Sequence, residues 1–264
     1  MNLSEYKSAV NKSVVIVGMG EMGRVFARGF EHLGYPVHAL RRGDSMAEAV
    51  SEFSDPELVL IAVGEADLQT VLADIPKVWR DRIALLQNEL LPADWKQHGL
   101  EPTVISVWFE KKKDQDVKVL IPSPTYGRHA QLLVDALAGI NIPARALKDE
   151  AELLYELILK NVYIITTNIS GLRVGGTVGE LWRDHRQLAE YIAREVMQLQ
   201  FAMTGETFEP SELMHGMLEA FNGDLDHKCM GRSAPARLER ALKLAKQYKV
   251  EMPMIEQVSL TLKK

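Results

Sequence analysis

The chain has 264 residues, a formal net charge of −5 and 47% hydrophobic residues, enough to build one or two cored domains. The acidic balance excludes a general nucleic-acid binder, which needs a basic face. The single cysteine, Cys229, excludes an internal disulfide and a cysteine-rich zinc site. No run of about 18 apolar residues occurs, so no membrane-spanning helix is expected. Residues 1–7 are polar and lack the apolar core of a secretory signal, so a cytoplasmic location is expected.

In chain order, Ser13-Val14-Val15-Ile16-Val17 is apolar and β-branched and stops at Gly18. Gly18, Gly20 and Gly23 occupy the marked places of G-x-G-x-x-G, and a helical pattern over 21–33 follows, closed by Gly34 and Pro36. In that motif the first glycine permits a tight turn and the second lets backbone approach a pyrophosphate. The third lets the helix pack on the strand, and the helix turns its free N–H groups toward the phosphates. A strand before and a helix after are the context the motif requires. Gly18, Met19, Gly20, Glu21, Met22 and Gly23 are therefore expected to hold a dinucleotide.

Val37-His38-Ala39-Leu40 reads as the second strand. NAD sites place an acid about 20 residues beyond the first glycine. Here Arg41 and Arg42 stand in that neighbourhood, and guanidinium suits the 2′-phosphate of NADP. NADP is the expected cofactor; the plain alternative is a surface arginine pair with Asp44 as its local partner. Residues 58–64 form a continuous apolar run, as in a strand covered on both faces, and end at Val63 and Gly64, which join the expected cofactor rim. A helix is expected over 65–72, strands over 83–88, 103–109 and 117–121, a helix over 126–139 and an extended piece over 141–147. This alternation implies an α/β fold with right-handed crossovers, a Rossmann-type doubly wound and mostly parallel sheet. Gly18, Arg41, Gly64 and Asn88 all fall at strand ends, where such sheets bind ligands.

Beyond Lys148 the strand signal stops. Helical patterns cover 150–170, 179–204, 210–221 and 232–249, with breaks at 171–179, 204–205 and 222–223. The expected organisation is a Rossmann domain over 1–148 and an all-helical C-terminal domain over 149–264. In the first C-terminal helix Lys160 interrupts an apolar face, and Lys160, Tyr163 and Thr167 form a polar line, with Asn168 turned off it. An ammonium placed there could give a proton to a carbonyl oxygen as hydride reaches its carbon. The other reading is a lysine that snorkels to solvent.

The chain resembles the ketopantoate reductase family, NADP-dependent 2-oxo acid reductases with a Rossmann domain followed by a helical one. Three segments carry the resemblance: Gly18-Met19-Gly20-Glu21-Met22-Gly23 with Arg41; Leu85-Leu86-Gln87-Asn88-Glu89-Leu90; and Lys160-Asn161 with Asn168-Ile169 and Gly176-Thr177-Val178-Gly179-Glu180-Leu181. The resemblance implies Lys160 as general acid, Asn88 beside nicotinamide and substrate, and Asn168 on the substrate side. Arg232 or Arg237 would pair with a substrate carboxylate, for which a guanidinium fork is suited. Three positions depart from the family. Ile164 stands where the family commonly has Asn, Gly216 stands where it has Ser before Met217-Leu218, and residues 231–237 lack its substrate-holding Glu.

His215 and His227 are candidates to replace those polar groups, though a lone His is more often a surface or capping residue. Asp224, Asp226 and His227 lie too close together in one loop to suggest a metal site, and none is expected. Cys229 reads as a small buried hydrophobe. The expected activity is NADPH-dependent reduction of a small 2-oxo acid or related carbonyl compound, with no nucleic-acid or membrane partner and a homodimer as candidate assembly. The alternatives are a β-hydroxyacid dehydrogenase of the same layout and an NADP-binding sensor without catalysis.

Overall fold

The computed structural model describes residues 12–262; the polar stretch 1–7 lies outside the described residues. Among them the chain forms two compact units, one of residues 12–88 with 92–153 and one of 89–91 with 154–262.

The first unit is built on a seven-stranded sheet. Its elements in chain order are β1 (Val14–Val17), α1 (Glu21–His32), β2 (Val37–Leu40), α2 (Met46–Glu52), β3 (Leu58–Ile61), α3 (Leu68–Ala73), a 3₁₀ turn (Lys77–Arg82), β4 (Ile83–Leu85), α4 (Pro92–Lys96), β5 (Thr103–Ile105), β6 (Phe109–Glu110), β7 (Lys118–Val119), β8 (Ser123–Tyr126), α5 (Ala130–Ala138) and β9 (Ala144–Ala146). The strand order is β2-β1-β3-β4-β5-β8-β9. β1 pairs in parallel with β2 on one side and β3 on the other. The chain therefore reverses its direction of winding across β1, and β1/β3 is the topological switch point at which doubly wound sheets bind ligands. Val14, Ile16, Leu58 and Leu60 pack with Phe26 and Phe30 of α1 in one apolar cluster, and each large side chain so buried contributes about 1.5–3 kcal/mol. A Cβ at Gly29 would lie 2.5 Å from the Ala136 carbonyl oxygen, so α1 and α5 meet through backbone there.

The structure corrects two expected elements in this unit. The run 103–109 is not one strand. β5 ends at Ile105, and Phe109–Glu110 pairs with Lys118–Val119 in a separate two-stranded ribbon. The helix expected over 126–139 covers only Ala130–Ala138. Tyr126 instead ends β8, which runs antiparallel to β5 and parallel to β9. Pro124 argues locally against an interior strand, but burial of Ser123, Pro124 and Thr125 decides the outcome. Neither α2 nor α4 was expected, although Ser45 and Glu48 spell a cap for α2: the Ser45 hydroxyl accepts from the Glu48 N–H.

His129, just before α5, donates its backbone N–H to the Thr103 hydroxyl at 2.9 Å and sets Nδ1 3.8 Å from Glu57. Burial holds the imidazole below its ordinary value of 6.5, against the opposing pull of Glu57. A histidine with a depressed pKa adds stability that is present above 6.5 and lost as pH falls through its folded value. Urea unfolding of His129→Gln is expected to show a shallower loss of stability on acidification below pH 6.5 than the parent; equal slopes would refute this.

The second unit is helical: α6 (Glu150–Val174, from Leu154 onward), α7 (Val178–Asp184), α8 (Arg186–Thr204), α9 (Pro210–Gly223), α10 (Ala234–Tyr248) and α11 (Pro253–Leu262). α6 is buried on nearly every side, which explains its weak amphipathic signal. It passes through Gly171, where a break was expected. A Cβ there would lie 2.8 Å from that of Cys229, so the glycine admits the 225–230 loop rather than ending the helix. The helix expected over 179–204 is two, divided at His185. α11 was not expected: its first N–H groups are capped by Glu195 of α8, whose carboxylate accepts from Met254 and Ile255 at 2.7 and 2.9 Å. Among the described residues no helix is long and apolar enough to cross a membrane.

Candidate cofactor and active site

The glycine turn follows β1 at the switch point. Gly18 has φ +101°, and a Cβ on it would lie 2.7 Å from the Ala62 carbonyl oxygen, at the end of β3. A Cβ on Gly23 would lie 2.2 Å from the Gly18 carbonyl oxygen. Both glycines are thus required by the protein's own backbone. Gly20 is not: it has extended backbone, φ −72° and ψ −168°, and nothing stands within 4 Å of where its Cβ would be. It is the N-cap of α1 without a side-chain cap, so no capping side chain takes the first-turn N–H groups. Met19 and Met22 pack on the core from this turn, and Glu21 opens the helix.

The neighbouring strand ends complete the rim. The Gly18 N–H donates to the Leu40 carbonyl at 2.8 Å, which brings the end of β2 and the following Arg41 beside the turn. Arg41 and Arg42 are exposed. Asp44 accepts from the backbone N–H of Arg41 at 2.7 Å, so it shapes the turn rather than engaging the guanidinium. Arg42 reaches Asp67 at 3.3 Å, a surface pair of little energetic weight. Val63 is half-buried and Gly64 exposed just past β3. Gln87, which sequence reasoning missed, is buried; its amide donates to the Ile61 and Val63 carbonyls at 2.7 and 3.3 Å and so ties the end of β4 to that of β3. Asn88 follows it, half-buried, in a turn.

In the second unit Lys160 is partly buried in mid-α6, with Nζ 5.5 Å from the Tyr163 ring centre. Burial, and next the positive charge of Arg237, bring its pKa from 10.5 down to about 7. Arg237 of α10 is itself buried. Its Nε donates to Glu89 at 2.7 Å and its Nη1 to the Asn168 side-chain oxygen at 3.1 Å. Arg240, one turn on, donates through Nε to the other Glu89 oxygen at 3.1 Å. Asn168 in turn donates to the Cys229 carbonyl at 3.3 Å, so both ends of its amide are committed to protein. Arg232, offered with Arg237 as a carboxylate partner, is exposed before α10; the structure brings Arg237, not Arg232, to Asn168.

Glu89 was also missed. It is a non-glycine residue at φ +61°, a conformation that costs about 1 kcal/mol, and its carboxylate is held by two arginines some 150 positions away. Local pattern carries no sign of such a pair. Tyr163 packs edge-on against Phe221. At one of the departures, Gly216, a Cβ would lie 2.8 Å from the Leu159 side chain, so α9 and α6 pack closely there. His215 is exposed beside Glu219, and His227 sets Nδ1 3.7 Å from Asp224. Among the described residues no group of three or more His, Cys, Asp and Glu side chains is arranged to hold a metal. Burial pushes the Cys229 thiol up to about 11, which leaves it unreactive near neutral pH.

These features define a doubly wound, mostly parallel sheet followed by a helical unit. No protein-family model and no curated protein sequence matches the chain. Solved structures do match its fold over nearly the whole length. They include 2-dehydropantoate 2-reductase from Methylococcus capsulatus, with 14% identity, 95% of this chain and 96% of that chain covered and a TM-score of 0.66. The probable 2-dehydropantoate 2-reductase of Bacillus subtilis has 17% identity, 95% and 99% coverage and a TM-score of 0.69. D-mandelate dehydrogenase in complex with NADH has 15% identity, 94% and 96% coverage and a TM-score of 0.66. The chain has the fold of the ketopantoate reductase structures.

Proposed function

We propose that this chain is an NADPH-dependent reductase of a small 2-oxo acid, with residues 1–148 binding the cofactor and 149–264 supplying the catalytic helix. The observation that carries this reading is the asymmetry of the glycine turn at the switch point. Gly18 and Gly23 answer to the protein's own backbone, whereas Gly20 faces open space. A pyrophosphate passing close to the chain is a reason for glycine at that position. Gly18, Gly20 and Gly23 would hold the phosphates, and Val63, Gly64 and Asn88 the nicotinamide half. The cofactor supplies hydride. Lys160, with a pKa of about 7, suits a proton donor to the substrate carbonyl oxygen. The shared fold of 2-dehydropantoate 2-reductases and an NADH-bound dehydrogenase supports the same class of chemistry.

Arg41 is the proposed reader of the 2′-phosphate. Arg41→Ala is expected to weaken NADPH binding by about 1.5–3 kcal/mol, the range for charge-assisted hydrogen bonds, and to leave NADH binding nearly unchanged. Titration of both cofactors by fluorescence checks this, and equal affinities of the parent protein for the two would refute it. A second reading, an NADP-binding protein without catalysis, draws on Asn168, whose amide is committed to Arg237 and Cys229, and on the apolar Ile164. NADPH consumption with a panel of 2-oxo acids separates the two: binding without turnover supports the second.

A further inference from the structure

We propose that Glu89 is a positioning residue of the Lys160 centre: its carboxylate holds the Arg237 guanidinium against Asn168 and balances the charge that Lys160 meets. The geometry is specific. Glu89 adopts φ +61°, where glycine would be strain-free, so its side chain must supply a reason for its presence. Its Oε1 accepts from Arg237 Nε at 2.7 Å and from Arg240 Nη2, and its Oε2 accepts from Arg240 Nε at 3.1 Å. The Glu89 and Arg237 side chains are 16% and 7% exposed, so the pair is screened little by solvent. Arg237 then passes the constraint to Asn168 on α6, two turns beyond Lys160.

The charged groups of this cluster, and those near Lys160 along α6 and beside Tyr163, come from several elements. Glu156 lies one turn earlier on α6, Arg237 and Arg240 come from α10, and Glu89 from the turn after β4. Asp224 and His227 of the loop after α9 lie on the side of the Tyr163 ring, which packs 6.5 Å from His227. After burial, the charge of Arg237 is what lowers the Lys160 pKa. Removal of the Glu89 carboxylate leaves that guanidinium less compensated, which disfavours the neighbouring ammonium.

The inference rests on Lys160 as proton donor for its catalytic meaning, but its test does not need turnover. Competitive acylation of the folded protein with acetic anhydride across pH, read by peptide mass spectrometry, gives the titration midpoint of the Lys160 amine. In Glu89→Gln the midpoint is expected about half a unit or more below that of the parent. Glu89→Asp restores it at least in part, and Glu89→Gly, which accepts φ +61°, lowers it without backbone strain. An unchanged midpoint in folded Glu89→Gln and Glu89→Gly overturns the proposal. A shifted midpoint together with full turnover in Lys160→Ala keeps the charge relay and removes Lys160 from catalysis. If Lys160→Ala is inactive, the alkaline limb of the turnover profile moves with the acylation midpoint in Glu89→Gln; a limb that stays in place overturns the proposal.

Discussion

Lys160→Ala is expected to lower turnover by about 10²–10⁴-fold, the range for a lost acid–base group, with NADPH affinity little changed because the glycine turn and Arg41 belong to the other unit. Lys160→Arg should not restore activity, since guanidinium keeps its proton near neutral pH. In the reductive direction the ammonium is the working form. Turnover of the parent should therefore fall as pH rises through about 7. The same depression carries a stability cost, because an unfolded lysine titrates near 10.5. Between about 7 and 10.5 the unfolded chain holds a proton that the folded one has released, so stability rises with pH across that window. Below about 7 the cost of the buried charge is carried in full. Lys160→Met should thus melt at a higher temperature than the parent at pH 7 while losing turnover, the trade expected of a strained functional residue. A lower melting temperature together with full activity would return Lys160 to the snorkelling reading.

Two glycine substitutions in one turn should fail in different ways. Gly23→Ala places a methyl 2.2 Å from the Gly18 carbonyl oxygen. Backbone must move to admit it, at a cost of about 1–3 kcal/mol, as for an overpacked core, and cofactor binding should fall with stability. Gly20→Val meets nothing in the protein, and a poorer N-cap residue should cost only about 1 kcal/mol. It should keep a cooperative unfolding transition yet lose NADPH binding through contact with the pyrophosphate. Urea unfolding beside cofactor titration of both variants checks the contrast. Normal NADPH binding by Gly20→Val would reduce the motif to a tight turn.

The glycine turn and the strand ends beside it were legible because they are local. A β-branched run, a glycine turn and a helix occupy consecutive residues. β1, β2 and α1 fall where periodicity puts them. The errors are equally instructive. β8 contains a proline that argues against an interior strand, and it is a strand because β5 and β9 flank it. The first N–H groups of α11 are capped by Glu195, 59 residues upstream of Met254.

By itself the sequence determined β1, α1 and β2, the change from alternating strands and helices to helices alone, the glycine turn, the arginines after β2 and the lysine within an apolar helix, because backbone preference and side-chain period act between near neighbours. The tertiary structure alone decided which polar groups meet. It joined Glu89 to Arg237 and Arg240, committed Asn168 to Arg237 and Cys229, left Arg232 exposed, and brought Lys160 to a pKa of about 7. Ion pairs and desolvation depend on distance and burial in space, and residues 148 apart carry no periodicity that links them.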